Sequence, residues 1–156
     1  ATGAVSVLAG TVVISNAVSV SSGTSRIDGT LTLTDANQLT VGTGATLAGT
    51  GAVARVTLQD NAVFARAKTD NAISPLVLGN CVANGSLTIA LTGYSLSELK
   101  ASLPLIRAAT AFIDPSKVTV TVNGQSNNFL RTKFVEVGGQ QVLTVYYLSG
   151  TLFSVR

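Results

Sequence analysis

The chain has no histidine, no tryptophan and no methionine, and only one cysteine among its 156 residues. Each absence removes a class of chemistry. Without an imidazole there is no Ser-His-Asp or Cys-His arrangement, because the nucleophile lacks the neighbouring base that takes its proton. The single thiol, Cys81, allows no internal disulfide and leaves a structural zinc site without a thiolate set. Aromatic residues are 5% of the chain and charged residues 11%, the latter against roughly 25% in ordinary soluble domains. No apolar run approaches the ~18 residues of a membrane helix, so this segment is not expected to insert into a bilayer. The first residues also lack the basic-then-apolar pattern of a signal peptide, so an export signal is expected to lie outside this stretch.

What is present is small and aliphatic. Apolar residues make up 46% of the chain, so the core must come from Val, Leu, Ile and Ala, which suit pleated surfaces packed in layers. Gly, Ser, Thr and Asn are plentiful, and hydroxyls and amides rather than charges must keep the surface wet. Ten Lys and Arg stand against seven Asp and Glu. The local clusters, Arg66-Ala67-Lys68 and Arg131-Thr132-Lys133, lack the interleaved aromatics of a nucleic-acid surface. No nucleic-acid partner is expected.

Short strands follow one another at nearly regular spacing. Candidate centres are Val5–Val7, Val12–Ile14, Val18–Val20, Leu31–Leu33, Leu39–Val41, Thr46–Ala48, Val56–Leu58 and Val63–Phe64. The connectors "DAN", "GTG" and "QDN" are turn chemistry, since Gly, Asn and Asp tolerate positive φ. Leu31, Leu47 and Val63 stand at equal intervals, each after a small residue and a turn residue, and are expected to point inward. A sandwich would pair such strands as hairpins, whereas a parallel β-helix stacks each on its equivalent in the next coil. Near-repetition favours stacking, because coils reward the same residue at the same place.

The run "GTLTL…LTVGTGATLAGTGAV…VTLQDNAVF…NGSLTIALTG", about Gly29 to Gly93, resembles the autotransporter-type passenger β-helix, especially the autotransporter-associated β-strand repeats of large bacterial exported proteins. It departs from that pattern at Phe64-Ala65-Arg66-Ala67, where the family more often places a Pro-Gly turn. The resemblance implies a short right-handed parallel β-helix and a C-terminal passenger segment, outside the cell or on its surface. Residues 1–93 would be the repeat region and residues 94–156 a cap continuous with it.

The cap reading also rests on residues. In "YSLSELKASLPL", Ser95 and Glu98 make the S-x-x-E box of a helix start, and Pro104 ends that helix after about two turns. "KVTVTVNG" and "GTLFSV" (Gly150–Val155) read as strands. Val135–Leu143 alternates on both sides of Gly138-Gly139, a hairpin signal. An uncovered end of a stack presents unpaired strand edges, so a cap is needed and self-stacking through exposed coil edges is an expected hazard.

Few residues invite chemistry. Paired carboxylates would serve polysaccharide cleavage or calcium, but Asp28, Asp35 and Asp60 lie beside turn residues and Asp114 precedes Pro115. Asp is expected in such places simply to bond its own backbone. Ser97–Lys100, "SELK", belongs to the capped turn, and Cys81 sits among small apolar neighbours that suggest packing. The Gly-x-Gly of "GTGATLAGTG" precedes no helix, so no dinucleotide site follows. Tyr94, Tyr146 and Tyr147 are the candidates for binding, able to stack on sugar or protein. No catalytic residue, metal ligand or cofactor is assigned. The leading expectation is a non-catalytic structural segment of a bacterial exported or cell-surface repeat protein, supporting adhesion or display, with a host or matrix glycan or protein as partner. The alternatives are a carbohydrate-binding β-sandwich module and a polysaccharide-cleaving β-helix enzyme.

Overall fold

The computed structural model describes residues 3–70 and 74–148, and these are all-β. Strands β1 (Ser6–Val7), β2 (Thr11–Ile14) and β3 (Val18–Val20) are matched one for one, in parallel, by β4 (Thr24–Ile27), β5 (Thr30–Leu33) and β6 (Leu39–Val41). Next, β7 (Thr46–Ala48) pairs with β4, and the longer β8 (Ala52–Leu58) pairs with both β5 and β6. The alternation continues in parallel: β9 (Ala62–Ala67) on β7, β10 (Leu76–Ala83) on β8, β11 (Leu87–Thr92) on β9, β12 (Leu103–Ala108) on β10, β13 (Val118–Val122) on β11.

After β13 the chain turns back. The short β14 (Gln125–Ser126) lies antiparallel on β13, and the hairpin of β15 (Leu130–Val137) and β16 (Gln140–Tyr147) lies antiparallel on β12. The result is a seven-stranded and a nine-stranded sheet of mixed pairing, neither closed on itself. The parallel ladders thus run on past Gly93, and reversal begins at Gln125.

Parallel register stacks like on like. One inward column runs Val12, Leu31, Val53, Leu78, Ala108, and another runs Ser25, Leu47, Phe64, Ile89, Val120. Every member except Val12 is buried. Each buried Leu or Ile contributes about 1.5–3 kcal/mol relative to exposure, which is why so few aromatics suffice. The corners are equally repetitive. Gly29 and Gly51 each open a strand of the nine-stranded sheet, and a Cβ on Gly51 would collide with the carbonyl oxygen of Gly29. That contact explains the recurring Gly-Thr of the sequence: the corner backbones of successive coils approach too closely for a side chain.

Three expectations change. Leu31 and Leu47 are buried but lie in different sheets, and Val63 is half-buried while its neighbour Phe64 takes the inward place above Leu47. The equal spacing of the three residues is therefore not the coil period, which widens along the first column just given. The short helix after Tyr94 is instead one turn of 3₁₀ helix, Glu98–Lys100, although the Ser95–Glu98 box does form. Pro104 disfavours helical dihedrals at Leu103, so β12 starts there and too few residues remain to repay helix nucleation. The strand expected at Gly150–Val155 lies outside the described residues. Among the described residues no helix is long and apolar enough to cross a membrane.

Candidate functional site

The three tyrosines do not come together. Tyr94 follows Gly93 at the end of β11 and is buried; its carbonyl accepts a hydrogen bond from Asn123 Nδ2 at 3.1 Å. Asn123 Oδ1 meanwhile accepts from the Gly93 N–H at 2.7 Å, so one amide side chain clamps the turn below it. The Tyr94 hydroxyl is buried with no hydrogen-bond partner among the described residues, and burial raises its pKa. Tyr146 and Tyr147, neighbours on β16, face opposite ways. Tyr147 stacks on Phe129 with ring centroids 5.8 Å apart, while Lys133 Nζ lies 4.9 Å from the centre of the Tyr146 ring.

Around β14 the surface is concave. A groove of about 280 Å³ lies between β13 and β15, lined by Ser116, Thr119, Asn127, Asn128, Arg131 and Thr132 among others. Across Ser126 and Asn127 it adjoins a second hollow of about 320 Å³, to which Tyr94, Ser95, Leu96, Asn123 and Gln125 contribute. Hydroxyls and amides dominate both walls. The one guanidinium on these walls is partly engaged, since Arg131 Nη1 donates to the carbonyls of Asn128 and Leu130 at 2.6 and 2.9 Å. Such a lining suits a neutral, hydroxyl-rich ligand better than an anion. The expectation named Tyr94 here but missed the rest of the walls; the amide-rich run Gln125–Asn128 was the signal in the sequence.

The carboxylates are occupied by their own turns. Asp60 Oδ1 accepts from both the N–H and the hydroxyl of Ser86, at 2.7 and 2.9 Å, which lowers its pKa and ties one turn to the next. Asp28 and Asp70 both bind Arg26, at 2.6 and 2.5 Å. Burial opposes ionisation of Asp70, but Arg26 and the Ala67 N–H outweigh it and its pKa is lowered. Asp114 accepts from the Ser116 N–H at 2.9 Å. Among the described residues no three His, Cys, Asp or Glu side chains are placed to share a metal ion.

Two basic residues read from the sequence as a cluster part company. On β9, Arg66 faces inward beside Phe64 and is 1% exposed; its Nη1 and Nη2 donate to the carbonyls of Ser74 and Leu105, at 3.2 and 3.3 Å. Lys68 lies beyond the strand and forms an ion pair with Glu98. Cys81 completes a column with Val18, Leu39 and Val56, and burial pushes its thiol up to about 12. It stays protonated at neutral pH and acts as a small apolar side chain. Comparison with protein-family models, with curated proteins and with solved structures finds no match to this chain.

Proposed function

We propose that the chain is a non-catalytic structural segment of a bacterial exported or cell-surface repeat protein, in which a short right-handed parallel β-helix closed by β14–β16 supports adhesion or surface display. The observation that carries this reading is the pair of parallel ladders, in which buried aliphatic residues stack from β1 and β2 through β13 and β12. Each strand templates the next, and low charge lets layers stack without repulsion. Such a column is a rigid spacer, suited to holding a contact surface away from a cell. The hydroxyl and amide groove around β14 is where we place contact with a host or matrix glycan or protein.

The alternatives fit less well. A carbohydrate-binding sandwich is built from antiparallel hairpins, whereas pairing here is parallel from β1 through β13. A polysaccharide-cleaving enzyme needs convergent carboxylates free to exchange protons; here Asp28, Asp60 and Asp70 are committed to Arg26 and Ser86. Incubation with pectin, polygalacturonate and mucin glycans should release reducing ends no faster than a protein-free blank. Reproducible cleavage abolished by a single Asp→Ala substitution would replace the structural reading with an enzymatic one.

A further inference from the structure

We infer that the N-terminal end of the stack is a self-association surface, through which two copies of this chain pair head to head along the outer edge of β2. Among the described residues, no strand pairs with β1, β2 or β3 on the side away from β4, β5 and β6. Exposed strand edges are normally protected by charge, proline or bulges. This one has no such charge or proline: residues 1–25 contain no Asp, Glu, Lys or Arg, and the first proline is Pro75. Large apolar side chains lie open there instead. Leu8 is 65%, Val12 40% and Val13 62% exposed. Val12 is the uncovered end of the column that runs down through Leu31, so the apolar core itself reaches the surface.

The opposite end is built differently. Antiparallel β14 and the β15–β16 hairpin cover it, and β15 bears Arg131, Lys133 and Glu136. A head-to-tail stack of copies is therefore blocked, and a second copy can meet the open edge only with its own open edge. Absence of charge makes that face compatible with itself, since no like charges are brought together. Two-fold symmetry then sets β2 antiparallel to its counterpart. Side-chain direction repeats every two residues, so an axis at Val13 places each Val12 opposite the other copy's Ile14 and the two Val13 side chains side by side. The two inward columns become one continuous apolar core.

Sedimentation velocity of the full chain, from low to high micromolar concentration, tests this. The expected result is a monomer–dimer equilibrium. Val13→Lys should weaken it by roughly tenfold or more, because like charges directly opposite across an antiparallel pair repel. Val135→Lys, on the exposed face of β15, should leave it unchanged. Circular dichroism of each variant checks the fold. Val13→Cys, close in size to the native residue, supplies an arm that does not depend on the lysine variant folding: mild oxidation should trap a covalent dimer, since Cys81 is buried. A chain that stays monomeric throughout, or a dimer lost with Val135→Lys and kept with Val13→Lys, would overturn the proposal.

Discussion

Glu98 stands in the 3₁₀ turn after Tyr94, where its carboxylate pairs with Lys68 and accepts the Ser95 N–H at 2.8 Å. The ion pair with Lys68, and then the Ser95 donors, lower its pKa from an ordinary 4.5 to about 2. A carboxylate held below its unfolded value stabilises the fold above that value, and the contribution is lost as pH falls through the folded one. Glu98→Gln should therefore lower the urea midpoint at pH 7, and the difference from the native chain should shrink between about pH 5 and pH 2. Added salt should shrink it too, since the pair is at the surface. A difference independent of pH would mean that shape, not charge, holds this turn. The turn was legible in the sequence because the capping box is a spaced pair of residue types. Arg66 was not, because it takes its inward place from strand alternation with Ala62 and Phe64, against the usual preference of arginine for water. Its guanidinium stays charged even where burial lowers its pKa, so the Ser74 and Leu105 carbonyls are what make the position tolerable.

Strands obey the same alternation wherever one face is buried. On β7, Leu47 faces the core above Phe64 while Thr46 lies in register with outward Val63. Leu47→Asp should cost several kcal/mol, because an unpaired carboxylate would lie in an apolar column. Thr46→Asp should cost well under half as much, a contrast that urea titration of the two variants measures. Equal losses would remove the assigned register. Strands with a plain apolar alternation, such as Leu31–Leu33 and Leu39–Val41, were readable as sequence. Two others were not. In β4 the inward residue is Ser25, tolerated at 0% exposure because its hydroxyl accepts the Val5 N–H at 2.9 Å, so the apolar pattern is broken where the strand is real. In β12 the proline misleads: Pro104 lies at the strand's start, before the ladder with β10 begins at Ile106, in a stretch where the pairing with β16 shifts register. A strand can hold proline there because no ladder donor is lost. The hairpin at Gly138-Gly139 was readable because its turn has positive φ at both residues, 59° and 77°, which glycine alone adopts freely.

At the scale of the molecule the two ends of the stack are unequal, and the C-terminal one carries the closure. Beyond Gly93 the chain supplies β12 and β13, which cover β10 and β11, and then the antiparallel strands that end both sheets. The hairpin is also the most local pairing in the chain, with Val137 opposite Gln140, so it can form before contacts that span a whole coil. Truncation after Gly93 should therefore do more than shorten the protein. It would bare the outer edges of β10 and β11, and with them the flank of a core built from Leu76, Leu78, Leu87, Ile89 and Leu91, all buried in the whole chain. Regularly repeated, uncharged strands with open edges recruit other chains. The 1–93 fragment should aggregate or remain unfolded, seen as void-volume elution in size exclusion or as loss of the β signal in circular dichroism. Residues 94–156 alone should keep partial β-structure through the hairpin. A monomeric 1–93 fragment with one cooperative melt would show that the parallel coils stand without closure, and would leave the C-terminal strands as a separate binding unit on a self-sufficient stack.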